Sequence, residues 1–388
     1  MSNGWEIKKL REVCELVNGR AYSKPELLAA GKYRVLRVGN FFTNDHWYYS
    51  DMELEEKKYC DNGDLLYAWS ASFGPRIWTG GKVIYHYHIW KVVHDCTQID
   101  QMFLFYFFQW DMEKIKADQG TGTTMMHVSM GSMNERDIHL PPLPEQQRIV
   151  ALLDEAFAGL ATAKANAEMN LQNARAIFES HLQSVFSQRG EGWVDSTIGS
   201  EIRFIDYRGK TPIKTASGIR LITAKNVKMG YLQEAPMEFI AEDGYASWMT
   251  RGIPRKGDVL FTTEAPLANV AQLDTDEKVA FAQRVIIMQP DKARLDSTFL
   301  KYLLLSKPVQ ESIRIHGTGA TVQGIKASLL RLIEISFPES LRQQESIIRR
   351  LDALVDETQH LTRLYERKLA ALEELKKSLL HRAFNGEL

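Results

Sequence analysis

Two long stretches of the chain carry seam positions at alternating spacings of four and three residues. The first series runs from Ile149 to His181 and the second from Ile347 to Leu379, at a constant offset of 198. This spacing is typical of the buried seam of a coiled coil. The large apolar members are Ile149, Leu153, Leu160 and Ile177 in the first series, and Ile347, Leu351, Leu354, Leu361, Leu372, Leu375 and Leu379 in the second. The pattern predicts two long helices, over residues 144–190 and 339–388.

An ordinary buried helix is the simpler interpretation of a short apolar stripe. Ten seam positions in each of two copies favour a coiled coil. Forty residues at about 1.5 Å per residue span roughly 60 Å, which is more than one small domain can hide. The first helix ends where the second globular stretch begins, so a second helix that packs on the first must run back along it. We therefore expect an antiparallel pair with a pseudo-two-fold axis.

The stretches outside these helices, residues 1–143 and 191–338, have a different texture. Short β-branched or aromatic runs bounded by turn residues, such as Lys82–Tyr85 and Val285–Met288, predict strands. The predicted domain helices lie near Gln101–Lys116 and near Ser297–Arg314. Each stretch is expected to be an α+β domain with a curled, mostly antiparallel sheet.

The two halves of the chain are internal repeats, with an offset that drifts from about 186 to about 198. The matching segments are Gly4-Trp5 with Gly192-Trp193, Gly63–Tyr67 with Gly257–Phe261, Gly120–Thr124 with Gly317–Thr321, and Gln146-Gln147 with Gln343-Gln344. Self-similarity of this kind indicates a duplicated structural unit. One unit is a globular stretch followed by a long helix.

Composition and charge are ordinary for a globular protein. The 388 residues carry a net charge of −1, so the chain lacks the net positive charge that would indicate nucleic-acid binding. Positive charge can still be concentrated on one face. Cys14, Cys60 and Cys96 are too few and too far apart for a zinc knuckle or a disulfide framework. Neither a signal core nor a membrane-length apolar run is visible, so we expect a cytoplasmic protein.

Catalytic motifs are not found. Gly209-Lys210-Thr211 resembles the end of a phosphate-binding loop, but the glycine required five residues earlier is Phe204. Glu366-Arg367-Lys368 copies part of a nuclease motif, yet it falls on the second predicted helix. His86 and His88 alternate along an apparent strand, but no third metal ligand is in sight. We predict no catalytic residue, no metal site and no cofactor in this chain.

The duplicated architecture suits duplex DNA, on which two half-sites can be read by two modules held at a fixed separation. The same repeat would let two copies of one partner dock on equivalent halves.

One pattern is more specific. The loop Gly120–Thr124, the segment Ile138–Val150 (IHLPPLPEQQRIV) and the ending Leu379–Leu388 (LLHRAFNGEL) resemble the specificity subunit of type I restriction-modification systems. The second copy departs at Arg342, where the first has Glu145. The resemblance covers the whole chain in the order domain, helix, domain, helix.

That resemblance implies two target-recognition domains, 1–143 and 191–338, each reading half of a bipartite sequence in double-stranded DNA. It implies that helices 144–190 and 339–388 set the unread spacer and hold two methyltransferase subunits. S-adenosylmethionine, ATP and magnesium are then expected on the methyltransferase and restriction subunits.

DNA-reading side chains are predicted in loops rich in Arg, Lys, Asn, Ser, Thr and aromatic residues. Such residues neutralise phosphates or bridge base edges. In the first domain they are Arg20, Tyr22, Ser23, Lys24, Arg34, Arg37, Asn40, Trp69, Ser70, Ser72 and Arg76. In the second they are Arg208, Lys210, Thr211, Lys214, Lys225, Asn226, Lys228, Thr262, Thr263 and Arg284. For most of them, a solvated or packing role is an equally good interpretation.

Two other classes of function stay open. The chain could be a nuclease or methyltransferase in its own right, which would require a cofactor loop or a carboxylate–lysine cluster within a domain. It could also be a coiled-coil scaffold whose domains bind protein, which predicts no preference among DNA sequences.

Overall fold

The computed structural model describes residues 4–42, 44–70, 73–118, 127–207, 211–319 and 323–388. The chain forms two compact units, each with its own apolar core. Unit 1 comprises Met1–Glu168 and Arg367–Leu388, and unit 2 comprises Met169–Glu366. Each unit thus contains a globular domain together with part of both long helices. The four-part division into domains and spacers stays a prediction.

Unit 1 contains ten strands and, besides the long helices, three short or medium α-helices in its described residues. The strands are β1 (Glu6–Lys9), β2 (Cys14–Asn18), β3 (Tyr33–Leu36), β4 (Tyr48–Ser50), β5 (Tyr59–Cys60), β6 (Leu65–Ala68), β7 (Gly74–Ile77), β8 (Val83–Tyr85), β9 (Ile89–His94) and β10 (Asp137–Leu140). The helices are α1 (Val38–Phe42), α2 (Gln101–Asp118) and α3 (Met130–Asn134), followed by the long helix α4 (Leu143–Gln188).

Unit 2 repeats this plan. The strands are β11 (Trp193–Thr197), β12 (Ile202–Asp206), β13 (Ile219–Ile222), β14 (Glu238–Ile240), β15 (Val259–Thr262), β16 (Val270–Gln272), β17 (Val279–Phe281), β18 (Val285–Pro290) and β19 (Glu334–Pro338). The helices are α5 (Ile198–Glu201), α6 (Tyr245–Trp248), α7 (Ser297–Leu305), α8 (Lys307–His316), α9 (Ala327–Arg331) and the long helix α10 (Leu341–Phe384).

Strand order shows the duplication directly. Unit 1 has a sheet ordered β2-β9-β6-β7, and unit 2 has β12-β18-β15-β16. The second sheet is β4-β3-β8-β5 in unit 1 and β14-β13-β17 in unit 2, and each unit adds a two-stranded ribbon, β1-β10 or β11-β19. Each domain therefore holds two small sheets and a ribbon, where the sequence suggested one curled sheet. Strands β3 and β8 pair in parallel, as do β13 and β17, and all other pairs are antiparallel.

The helix expected near Ser297–Arg314 is two helices, α7 and α8, separated at Ser306. Pro308 lies in the first turn of α8, where a missing backbone N–H costs nothing. Proline cannot donate the backbone hydrogen bond of a helix interior, and its ring clashes with the carbonyl four residues earlier, so α7 cannot continue through Pro308. Its unit 1 counterpart, α2, has no proline and stays continuous from Gln101 to Asp118.

A buried glutamine joins each long helix to its domain. Gln146 accepts a hydrogen bond from the Asp100 backbone N–H and donates to the carbonyls of Gln98 and Pro141. Gln344 makes the same set of bonds in unit 2, with Asp296, Arg294 and Pro338. Gln146 therefore corresponds to Gln344, so the sequence alignment that paired it with Gln343 was off by one residue.

The long helices pack antiparallel. Within unit 1, Lys164 pairs with Glu373 at 2.6 Å, the Lys376 ammonium lies 5.3 Å from the Phe157 ring centroid, and Arg148 donates to the Leu388 carbonyl. The residue numbers therefore rise from 148 to 164 along α4 while those of the contacted residues fall from 388 to 373, as in an antiparallel pair. Within unit 2, Arg175 of α4 pairs with Glu366 of α10 at 2.9 Å. The predicted fold class, two like α+β domains with two long antiparallel helices, is confirmed.

The predicted seam needs a one-residue correction at its far ends. Ile149, Leu153, Leu160, Ile347, Leu351, Leu354, Leu361, Leu372 and Leu379 are buried or half-buried. Ile177 and Leu375 are 45% and 48% exposed, whereas Phe178 packs on the unit 2 core and Lys376 covers Phe157. A strict seven-residue repeat drifts by about 20° per heptad from a straight helix, which approaches one residue after four heptads. Both exposed residues lie four heptads into their series.

No helix within the described residues is long and apolar enough to cross a membrane.

Candidate nucleic-acid interface

The ends of several strands in unit 1 bring polar and aromatic side chains to one edge. Because β3 and β8 are parallel, Arg37 and His86 follow them at the same edge of the sheet. Backbone bonds join neighbouring segments there: His86 N–H donates to Leu36, Tyr87 N–H to Arg20, and Trp69 N–H to His88. We name this edge corner 1, comprising Arg37, Trp69, Ser70, His86, Tyr87, His88 and His127.

Aromatic contacts fix the side chains of corner 1. The Trp69 ring stacks on Trp90 with 5.9 Å between centroids and meets the His88 ring edge-on at 4.9 Å. Its indole N–H donates to the Tyr87 carbonyl at 2.8 Å. The His127 ring lies 6.1 Å from Trp69. These contacts hold a platform of flat rings next to the exposed Arg37.

Burial and neighbouring charges favour the neutral form of the His86 and His88 imidazoles. Burial, with further contributions from His88 and Arg37, lowers the pKa of His86 to about 4. Burial, followed by the charges of His127 and Arg37, lowers the pKa of His88. A neutral imidazole carries one donor and one acceptor nitrogen, which suits hydrogen bonding to base edges.

Several side chains of unit 1 that were predicted to contact DNA also stabilise a loop. Arg20 pairs with Glu26 at 2.6 Å and lies 5.2 Å from the Tyr22 ring centroid. Ser23 donates to the same carboxylate from its N–H and its hydroxyl. The Arg20 hydrogen bond and then those of Ser23 lower the pKa of Glu26 to about 2. Lys24 is exposed beside this network.

Three further predicted residues hold neighbouring loops. Arg34 donates to the Gly80 carbonyl and lies 4.9 Å from the Trp47 ring centroid. Asn40 donates to the carbonyls of Asn44 and His46, and Arg76 donates to that of Phe41. Their hydrogen-bonding groups are at least partly engaged within the domain.

Unit 2 has an equivalent corner, which the same backbone bonds define. Thr263 N–H donates to Arg284 as Trp69 N–H does to His88, and Ala282 N–H donates to Ile222 as His86 N–H does to Leu36. The isolated bridge between Glu264 and Gly324 matches that between Ser70 and His127. We name Thr263, Glu264, Gln283, Arg284 and Gly324 corner 2.

Arg284 is the prominent side chain of corner 2. It is an exposed residue with φ of 78°, in the left-handed region that side chains other than glycine rarely adopt. Its Nε lies 2.8 Å from a Glu264 carboxylate oxygen, and the two side chains are 46% and 44% exposed. The carboxylate therefore orients the guanidinium while leaving it open to solvent.

Four predicted DNA contacts are buried, so these predictions are corrected. Ser70, Asn226, Thr262 and Thr263 are 5%, 1%, 0% and 3% exposed. The Asn226 amide accepts bonds from Thr223 and donates to three backbone carbonyls, while the Thr262 hydroxyl donates to Pro266. Short polar side chains at strand ends satisfy buried backbone groups here, a role that residue type alone does not distinguish from DNA contact.

The remaining predicted residues of unit 2 lie at the surface or outside the described part of the chain. Thr211, Lys214 and Lys225 are exposed, Lys228 is half-buried, and Lys214 pairs with Glu238 at 2.7 Å. Ser72, Arg208 and Lys210 fall outside the described residues, as does the loop Gly120–Thr124. All of them stay predictions.

The corners also contain residues that the sequence analysis did not propose for DNA. They are His86, Tyr87, His88 and His127 in corner 1, and Glu264, Gln283 and Gly324 in corner 2. A usable signal was present, because polar or aromatic residues directly follow the runs read as strands. Within the described ranges, no group of three His, Cys, Asp or Glu side chains could hold a metal ion.

The fold defines a protein with two versions of one α+β domain. The family model described as type I restriction modification DNA specificity domain matches residues 2–170 and 208–373. That match covers more than half of the chain, so the chain belongs to this family, as its motifs indicated.

Relatives agree with the family assignment. The chain is 22% identical to the type I restriction enzyme MjaVIII specificity subunit of Methanocaldococcus jannaschii, covering 99% of this chain and 93% of the relative. It is also 22% identical to the EcoBI specificity subunit of Escherichia coli, with coverage of 100% and 86%.

Solved structures share the fold. An HsdS subunit from Thermoanaerobacter tengcongensis matches with a TM-score of 0.61 and 19% identity, over 100% of this chain and 98% of that chain. A chain from a study of complex assembly and conformational transition of the type I R-M system matches with a TM-score of 0.80 and 18% identity, over 100% and 99%. The chain is thus a type I restriction-modification DNA specificity subunit, non-catalytic on its own.

Proposed function

We propose that this subunit reads a bipartite DNA target, one half-site with each globular domain. The observation that carries the proposal is the pair of corners. The two domains share strand order and backbone bonding, yet His88 of corner 1 lies where corner 2 has Arg284, and the buried Ser70 lies where corner 2 has Glu264. One scaffold with two chemistries fits two different half-sites.

The long helices take the spacing role in this proposal. Helix α4 runs unbroken from Leu143 to Gln188 and α10 from Leu341 to Phe384. Helices are rigid over such lengths, so the pair would set the unread spacer and present repeated surfaces to two methyltransferase subunits. The chemistry would come from partners that carry S-adenosylmethionine, ATP and magnesium.

The near-neutral charge of the chain supports the idea that its DNA binding depends on those partners. The chain carries 48 basic and 49 acidic residues, so its net charge of −1 offers little long-range attraction to DNA. Methyltransferase subunits would supply the additional phosphate contacts. An isolated chain that bound its site tightly, with a steep dependence on salt, would contradict this part of the proposal.

Replacing residues 191–338 with the matching segment of another family member tests the bipartite reading. We expect one half-site of the methylated sequence to change while the other stays the same, because each domain reads its half independently. Methylation mapping of a genome that carries the complete system gives the result directly. The reciprocal exchange of residues 1–143 is the matched control and should change the opposite half-site.

Two outcomes of the exchange would overturn the proposal. A change in both half-sites would show that the domains do not read independently. An unchanged sequence would show that residues 191–338 carry no specificity, as expected for a scaffold whose domains bind protein.

A further inference from the structure

Resting on the proposed function, we propose that corners 1 and 2 are equivalent base-reading sites, and that Arg284, oriented by Glu264, reads a guanine in the half-site of unit 2. In corner 1 the corresponding role falls to His86 and His88 on the Trp69 platform.

The geometry of Arg284 suits a guanine edge. Its Nε faces Glu264 at 2.8 Å, and no described residue accepts a hydrogen bond from its terminal amino groups. Those two groups form a planar fork that matches the O6 and N7 acceptors of guanine in the major groove. A carboxylate that holds one side of the guanidinium fixes the plane of this fork before DNA arrives, which reduces the entropy lost on binding.

Backbone conformation adds an independent observation. Arg284 has φ of 78°, and a residue other than glycine held there is strained unless surrounding contacts impose the conformation. Those contacts are present, since its carbonyl accepts from the Thr263 N–H at 2.9 Å. Strained backbone of this kind concentrates at binding and catalytic sites. Here it presents the Arg284 side chain from the turn between β17 and β18, beside Glu264.

Corner 1 presents a different set of hydrogen-bonding groups at the same edge, with His88 at the position of Arg284 and His86 two residues before it. The His86 Nδ1 accepts from the His88 backbone N–H at 3.4 Å, which leaves Nε2 as the donor. The indole N–H of Trp69 is taken by the Tyr87 carbonyl, so the ring acts as a flat support. Tyr87, 37% exposed, carries a hydroxyl at the rim. These neutral groups would read a base pattern unlike the one that Arg284 selects.

The test uses complexes reconstituted from this subunit and its methyltransferase partners, with Arg284→Ala, Arg284→Lys and Glu264→Gln in corner 2. Duplexes bound from a pool randomised over the target, together with methylation mapping, report specificity at each position. Lys256→Ala is the matched control. Lys256 is an exposed base paired with Asp276, and it precedes β15, at the end of that strand opposite Thr263.

We expect Arg284→Ala to relax one guanine position of one half-site, lowering the preference there by about tenfold to a hundredfold, and to leave the other half-site unchanged. Arg284→Lys should relax it as well, because lysine keeps the charge but loses the fork. Glu264→Gln should weaken the preference less. His88→Ala should alter only the other half-site, and Lys256→Ala should alter neither.

Two results would overturn this inference. Uniform loss of binding across all sequences, restored by lysine at position 284, would make Arg284 a phosphate contact. Unchanged preferences in the Arg284 and His88 variants would place the corners away from the bases. If exchange of residues 191–338 still moves one half-site, the bipartite proposal survives either result.

Discussion

Substituting alanine for Gln344 is expected to lower the free energy of unfolding of unit 2 by about 3 to 5 kcal/mol. The side chain is fully buried and serves one backbone donor and two backbone acceptors, from Asp296, Arg294 and Pro338. Alanine leaves all three groups without partners, and each buried unsatisfied group costs about 1 to 3 kcal/mol. Chemical denaturation of the full chain, followed by hydrogen exchange in unit 2, measures the loss.

The chain provides its own controls for this result. Gln343 and Gln147 are the exposed neighbours of Gln344 and Gln146, and both lie in the same helical turns. Gln343→Ala and Gln147→Ala should shift stability by less than about 0.5 kcal/mol. Gln146→Ala should reproduce the large loss in unit 1. Equal effects at buried and exposed glutamines would contradict the anchoring role.

Truncating Leu351 to alanine has the second large expected effect, about 2 to 5 kcal/mol. Leu351 is fully buried in the unit 2 core, so the shortened side chain leaves a cavity that the surrounding residues fill only in part. Because this core joins α10 to the globular domain, the loss should also loosen the hold of the domain on the helix. Thermal denaturation of the full chain and methylation by the complete complex measure the two consequences.

Leu375→Ala is the matched control on the same helix, since Leu375 is 48% exposed although the heptad pattern places it in the seam. Its expected cost is below about 1 kcal/mol. A loss at Leu375 as large as that at Leu351 would favour the strict heptad seam over the corrected one. Ile177→Ala, 45% exposed, extends the comparison to α4.

For much of the proposed recognition surface, the sequence predicted the type of residue but not which individual residues are accessible. Arg37, Trp69 and Arg284 lie in the corners, whereas Asn226 and Thr262 have the same polar character and are buried. Loops rich in polar residues supply both DNA contacts and turn-stabilising bonds, and the residue types overlap. Burial and hydrogen-bond partners separate them, and both depend on the folded chain.

The sequence by itself determined the duplication, the two long helices and the order of domains. The helices could be predicted because they depend on the local spacing of residues. Apolar residues at every third or fourth position define one face of a helix, independently of the rest of the chain. The repeat also paired Gly63 with Gly257, and both have φ near 90° and donate a backbone hydrogen bond, to Trp78 and to Leu273.

Only the tertiary structure decided which residues meet in the proposed sites. Trp69, His86–His88 and His127 are separated along the chain, and they meet because β3, β6 and β8 end at one edge. The one-residue shift of the helix seam at Ile177 likewise depends on packing, as does the correspondence of Gln146 in unit 1 with Gln344 in unit 2. Such contacts join residues distant in sequence, so side-chain spacing, which records only neighbours along the chain, cannot encode them.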